Sequence, residues 1–284
     1  MVRLLWMDRL RGAAILAVIV MHAEISASAA TGEALGGVHA INGLLAPYRM
    51  PMLVGLSGVL LTPGLRKPWR AYLSGKVRNL LWPYLVWVAL DTAYAAARAG
   101  GIGWDYVARL AYDPRTYLWF LAYLFVFYLV ALGLPGWLRI AGGPLLVLAV
   151  TPIDPGTEWH KFVWLLGWFL VGDTLGRAVR HRLRPAPVPR GDPLGFIGRH
   201  SLVMYVSHLM VIIAATDLAV RLGVRQPTAL FLLAVGTSLA AGPALVWGRR
   251  HPGIDALFRW PSRVTVRDPR QDPPAPRSLQ RSEQ

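Results

Sequence analysis

Long stretches almost free of charge recur along the whole of this chain, and they restrict its fold more than any other feature. Gly12–Ala30 holds only His22 and Glu24, while Met50–Leu65 and Thr116–Leu138 hold no charge at all. Asn79–Ala97 is broken only by Asp91, Phe162–Gly176 only by Asp173, and Ser201–Val220 only by His208 and Asp217. Pro227–Gly248 is uncharged and Ile140–Ile153 is a shorter stretch of the same kind. Crossing the hydrocarbon of a bilayer takes about 20 residues of helix, and in lipid a helix satisfies its own backbone polar groups. The chain therefore reads as all-α, a polytopic transmembrane helix bundle of about 8 spans (8–10), with the membrane-embedded domain over residues 1–260. Only 16% of its 284 residues are charged, against about 25% in a soluble domain. This excludes a disordered chain, and the absence of cysteine excludes a disulfide scaffold.

The net charge of +15 would suggest nucleic acid in a soluble protein, so its distribution matters. With the N-terminus cytoplasmic and eight alternating spans, 23 of the 30 Lys and Arg fall on the inner side. The seven on the outer side are Arg49, Arg98, Arg109, Arg115, Lys161, Arg221 and Arg225. That asymmetry follows the positive-inside rule and places both termini in the cytoplasm. The expected partner is the lipid bilayer, with no nucleic acid; the sequence leaves the oligomeric state open. Residues 261–284, rich in Pro, Arg, Asp, Gln and Ser, read as a disordered cytoplasmic tail. The run Ala13–Met21 followed by Ala27-Ser28-Ala29 has the outline of a cleavable signal peptide, but His22 and Glu24 interrupt its end, so a retained first span is expected. The use of 27 Arg against three Lys, with abundant Ala and Gly, suggests a GC-rich bacterial coding sequence and so a multi-pass protein of the bacterial plasma (inner) membrane. No loop has room for a soluble catalytic domain, so any chemistry lies within the bundle or at its faces.

Few ionisable residues fall inside the spans. Arg11 and His22 are eleven residues apart, about three helical turns, so they share one face of the first helix and differ in height by roughly 16 Å. His22 then lies well inside the membrane, where an ionisable group marks function by default or else packs against a neighbouring helix through a hydrogen bond. Ser201, Tyr205 and His208, at steps of four and three, form one polar stripe that serves either substrate contact or helix pairing. Asp91, Asp173 and Asp217 are too costly to face lipid, and each is a candidate to orient His22. His22 and Glu24 diverge by about 200° on a helix and the other histidines lack ligand spacing, so no metal is expected. Internal repeats, which some transporters carry, are not evident.

Several fragments in order resemble the acyltransferase 3 family of integral-membrane acyltransferases. Asp8-x-x-Arg11-Gly12, Ala14-Ile15 and His22 look like its opening, in which Arg, ten residues and His form the catalytic signature. Arg49-Met50-Pro51-Met52 with Leu56-Ser57-Gly58, Lys76-x-Arg78-x-Leu80-Leu81-x-Pro83-Tyr84 and Leu118-Trp119-Phe120-Leu121 are similar to its next three motifs. Leu170-x-Gly172 with Gly176-Arg177, then Gly198-Arg199-x-Ser201-Leu202-x-x-Tyr205-x-x-His208, look like its late helices. The chain departs from the family at Leu53-Val54, where aromatics are usual, and in the short segment from Arg177 to Phe196, where two further helices are common.

The resemblance implies a membrane O-acyltransferase moving an acyl group, acetyl foremost, from acyl-CoA to a hydroxyl of a sugar, glycan or small natural product. His22 would be the general base, with Arg11 as its catalytic partner. Arg11, Lys76, Arg78 and Arg199 would hold the phosphates of the donor; the alternative for the last three is topology determination alone. Ser57, Trp119, Ser201, Tyr205 and His208 would line the substrate pocket, although Ser57 also suits close helix packing and Trp119 an interfacial aromatic belt. Two other readings are a proton-coupled transporter or exporter of acylated or acidic small molecules, in which the intramembrane His and Asp relay protons, and a scaffold without catalysis.

Overall fold

A computed structural model of the chain describes residues 2–99, 101, 117–151, 157–179, 186–187, 189 and 191–261. The expected tail, outer Arg109 and Arg115, and the end of the fifth span beyond residue 151 lie outside these. Helix α1 (Leu5–Thr31) is followed by α2 (Gly36–Gly58) and a short α3 (Leu61–Leu65). Helix α4 (Trp69–Lys76) runs through a π-helical turn, Val77–Leu81, into α5 (Trp82–Ala99). Next come α6 (Trp119–Gly133), α7 (Gly136–Val150) and α8 (Glu158–Ala178). A short α9 (Pro193–Arg199) precedes α10 (Ser201–Arg221), α11 (Pro227–Gly248) and the short α12 (Pro252–Ala256). Two-residue strands β1 (Val2–Arg3) and β2 (Ala186–Pro187) pair antiparallel and tie the N-terminus to the segment before α9.

The long helices occupy the eight stretches read from the sequence, as an all-α polytopic bundle. Among the described residues five, counting α2–α3 and α4–α5 as one each, are long and apolar enough to cross a membrane. Helices α6 and α7 have 15 residues each, about 22 Å at 1.5 Å per residue. Helix α8 has 21, with its charged residues Glu158, Lys161, Asp173 and Arg177 grouped towards its ends.

Helix directions provide a geometric check on the alternation. Elements separated by an even number of crossings should run parallel, and they do: α1 and α10 meet at His22–His208 and again at Ser26–Thr216, 3.1 Å, while α2 and α8 advance together from Gly55–Gly172 to Val59–Gly176. Neighbours in sequence run antiparallel, as where Gly143 of α7 meets Leu170–Val171 and Gly167 of α8 meets Leu146–Val147. A single span missing or extra between α1 and α10 would reverse one of these pairings.

One sequence expectation changes. The second helix begins at Gly36, not Met50, and its link to α1 is only residues 32–35, opened by Gly32 at φ 77°. Arg49, assigned above to an outer segment, therefore lies inside the bundle at 6% exposure. Its guanidinium donates to the carbonyls of Ala17 (3.3 Å) and Asn42 (2.8 Å) and to Asn42 Oδ1 (3.3 Å). A buried arginine is tolerated in an apolar bundle when carbonyls take up its donors in this way.

Glycines set the closest helix approaches. A Cβ at Gly198 would lie 1.6 Å from the carbonyl oxygen of Asp8, and one at Gly12 would lie 2.0 Å from that of Leu194. These two glycines thus let α9 dock on the first turns of α1, directly beside Arg11. Asp192 caps α9 by accepting the Gly195 N–H at 3.0 Å and also accepts from Arg9 at 3.2 Å, which together hold its carboxyl below the ordinary range. Replacing a helix glycine by alanine usually gains about 0.5–1 kcal/mol. At Gly198 the sign should reverse, with Gly198→Ala losing about 1–3 kcal/mol through overpacking. Gly236→Ala, where a Cβ meets nothing within 4 Å, should be neutral or stabilising. Thermal unfolding of the two variants in detergent checks the contrast.

The π turn has a local cause. Pro83 offers no N–H to the carbonyl of Asn79 and its ring crowds that carbonyl, so the helix widens over Val77–Leu81. The C-terminal segment fastens to this widened region: Trp260 N–H donates to Arg78 O (3.3 Å), Trp82 Nε1 to Ala256 O (2.7 Å) and Trp87 Nε1 to Leu257 O (3.0 Å).

Candidate active site

Two cavities lie along α1, one towards each face. The inner one, about 340 Å³, opens between the α3–α4 connection and the π turn. Its mouth carries Lys67, Gly64 and Ala71, its walls Arg11, Ser57, Tyr72, Lys76, Asn79 and Tyr128, and its deep end Ile15, Phe120, Leu121, Ser201 and Tyr205. The outer cleft, about 410 Å³, is lined by His22, Ser26, Ala29, Arg98, Leu209, Thr216 and Asp217, among others. Arg11 and His22 are thus on one helix as expected, but they belong to different cavities. The spacing of three turns separates them by enough height for that.

Around the inner cavity, most polar groups are held in place by backbone oxygens. Arg11 Nη2 donates to Leu56 O at 3.1 Å, and Ser57 Oγ to Leu53 O at 2.9 Å. Tyr128 OH donates to Ser57 O and Tyr72 OH to Tyr128 O, both at 3.1 Å. The Lys76 ammonium sits 3.2 Å from the centre of the Tyr128 ring, a cation–π contact that holds the charge at the cavity wall. The inner cavity therefore combines three cations, Arg11, Lys67 and Lys76, near its mouth and wall with an apolar, aromatic deep end.

A chain of rings joins the two cavities. Tyr205, at the deep end of the inner one, has its ring 5.7 Å from that of His208, which lies 5.1 Å from that of His22. Tyr117 stacks edge-on against His208 at 5.4 Å. The Tyr117 hydroxyl donates to Val206 O and the Tyr205 hydroxyl to Tyr117 O. Ser201, Tyr205 and His208 are therefore an interior stripe, with Ser201 and Tyr205 on the cavity and His208 behind it.

Other expected site residues are placed apart. Arg78 lines a shallow groove with Trp69, Arg70 and Trp260, and Arg199 lies beside Asp192 and Pro189 near α9, so neither reaches the inner cavity. Trp119 begins α6 beneath the Lys161 ammonium, 3.7 Å from its ring, and is not among the cavity walls. Asp173 is committed elsewhere: it accepts from Arg177 Nη2 (2.9 Å) and Nε (3.1 Å) and from Thr62 N–H and Oγ1, and lies 3.6 Å from Arg139 Nε. Asp217 accepts from Arg98 at 2.7 Å and Tyr94 OH at 3.2 Å and shares the outer cleft with His22. Asp91 is half-buried on α5, within electrostatic range of Tyr117. Arg49 is also within electrostatic range of His22.

Three site residues had no expectation attached to them. Lys67 was visible only as one of several loop charges; Tyr72 and Tyr128 sit in helices where nothing in the spacing separates a cavity wall from core packing. Arg49 could have been found, since no charge precedes it after Glu33 and the second helix can extend back to include it.

Comparison with known proteins agrees with this architecture. No match was found among curated proteins or solved structures. A family model described as an acyltransferase domain matches residues 4–153, more than half of the chain, including Arg11, His22 and most of the inner cavity wall. By this match the chain belongs to the acyltransferase 3 family of membrane acyltransferases.

Proposed function

We propose that the protein transfers an acyl group, acetyl foremost, from acyl-CoA to a hydroxyl of a sugar, glycan or small natural product, with His22 as general base. The observation that carries this reading is the division of labour along α1: Arg11 lines a cation-bearing inner cavity, and His22 lines an outer cleft that also carries Ser26, Thr216, Arg98 and Asp217. Phosphates of a cytoplasmic donor suit Arg11, Lys67 and Lys76, since charge-assisted hydrogen bonds to phosphate are strong. Arg78 and Arg199, outside the cavity, fit topology and packing better. The thioester arm runs along the apolar deep end and past Tyr205 to His22, where the acceptor hydroxyl arrives from the outer cleft. There His22 takes the hydroxyl proton as the oxygen bonds to the thioester carbonyl carbon. The carbon–sulfur bond then breaks and the imidazolium returns that proton to the departing sulfur. Donor and acceptor would thus meet from opposite faces of a bacterial inner membrane.

Two cavities facing opposite ways, with ionisable groups between them, are also what a proton-coupled carrier presents. Purified protein in nanodiscs given acetyl-CoA and a hydroxyl-bearing acceptor separates the two. Acceptor-stimulated CoA release supports transfer; proton-coupled flux in liposomes without CoA release supports a carrier. On the enzyme reading, Lys76→Met should raise KM for acetyl-CoA about 10-fold or more while kcat changes little, because a phosphate contact stabilises ground and transition states alike.

A further inference from the structure

His208 is the most completely buried titratable side chain near the site, at 1% exposure. Its Nδ1 faces the carbonyl oxygen of Tyr205. A carbonyl oxygen can only accept, so Nδ1 carries the ring proton and Nε2 carries a lone pair. That Nε2 is buried and has no hydrogen-bond partner among the described residues. Leaving a buried acceptor unmatched carries its full desolvation cost, so the arrangement calls for a use. Among the described residues three rings contact the His208 ring: Tyr117, Tyr205 and His22. Both tyrosine hydroxyls are already spent on backbone carbonyls. The remaining ring donor is an N–H of His22.

We infer that His208 is a positioning residue for His22: when the two rings, with centroids 5.1 Å apart, turn towards each other, the unmatched Nε2 accepts a hydrogen bond from one ring N–H of His22 and so holds the tautomer whose other nitrogen presents its lone pair to the outer cleft. This rests on the reading of His22 as the base. A base that must be deprotonated on one nitrogen gains from a neighbour that fixes the proton on the other, just as an orienting group does in other nucleophile–base systems. A neutral histidine supplies that acceptor without adding a charge to the interior. The Tyr205 carbonyl, held on the helix that also lines the inner cavity, sets the tautomer of His208 and through it that of His22.

The experiment compares His208→Phe, His208→Gln and His208→Asn in full-length protein in nanodiscs, with acetyl-CoA and a polyol acceptor. Phe keeps the ring shape but has no acceptor. Gln can place an oxygen where Nε2 stood, and Asn is too short to reach that point. Expected is a fall in kcat of order 10²-fold for Phe and Asn, with KM for acetyl-CoA within about twofold of the parent, and substantial recovery in Gln. Ring ¹⁵N shifts of His22, assigned by their loss in His22→Asn, should show one fixed tautomer in the parent protein and an averaged mixture in His208→Phe. Parental kcat in Phe, equal activity of Asn and Gln, or an unchanged His22 tautomer would each overturn the inference. Where Phe does not fold, the Asn–Gln contrast decides. Loss of activity in His22→Ala with parental activity in His208→Phe removes the positioning role alone; an active His22→Ala removes the base reading and the positioning role with it.

Discussion

Replacing His22 by alanine should reduce acyl transfer by about 10²–10⁴-fold, the range that a positioned general base contributes. At 1.36 kcal/mol for each factor of ten, this is about 3–5 kcal/mol of transition-state stabilisation. The loss should appear in kcat, since His22 lines the outer cleft and not the inner cavity that would hold the donor. Acetyl-CoA binding, measured by equilibrium titration, should therefore stay close to that of the parent protein. The fold should also survive. His22 is half-buried, and α1 is anchored elsewhere by Arg49 on Ala17 O, by Arg11 on Leu56 O and by the Gly12–Gly198 contact. Parental turnover in a well-folded His22→Ala variant would remove the mechanism proposed above.

The largest effect on stability is expected at Asp173→Ala. This carboxylate is 1% exposed and gathers Arg139, Arg177 and Thr62. It thereby joins α3 to α8 and brings in α7 through Arg139. Removing one member of a buried ion pair leaves the other charges without compensation, typically at 3–5 kcal/mol. Here both arginines are partly exposed and can extend towards water, so about 3 kcal/mol is expected. Asp173→Asn keeps an acceptor for Thr62 and should lose less. In Arg177→Ala/Asp173→Ala the combined loss should fall short of the two single losses added together, because they share one interaction. Unfolding midpoints in detergent measure all four. An Asp173→Ala protein as stable as the parent would show that the cluster is carried by its surroundings. Asp173 was a candidate to orient His22; its commitments make it a structural centre at the inner end of the bundle.

The contrast between Asp173 and His22 shows which parts of this protein its linear order reveals. The number of long helices, their alternation and their order were legible, because a lipid environment demands about 20 apolar residues per crossing and sorts basic residues to one side. The shared face of Arg11 and His22 was legible too, because helical periodicity alone decides it. The start of the second helix was not. A charged residue normally marks the end of a span, and only the carbonyls of Ala17 and Asn42 make Arg49 acceptable within one.

Which polar residues meet was a matter for the tertiary structure alone. Lys76 and Arg78, two residues apart, diverge by about 200° on a helix by periodicity alone, but that Lys76 takes the inner cavity and Arg78 an outside groove was decided by how this helix packs. Arg199 and Ser201 are just as close in sequence, and they separate at the junction between α9 and α10. Three aspartates in apolar stretches looked alike, and only their neighbours on other helices distinguish an ion-pair centre from a cleft residue. Sequence by itself determined that the chain is an all-α polytopic membrane bundle, since transfer from water to lipid acts on each segment separately. The tertiary structure decided that His22 faces one cavity, Arg11 the other, and that His208 stands between them, since those facts depend on how close one backbone can come to another.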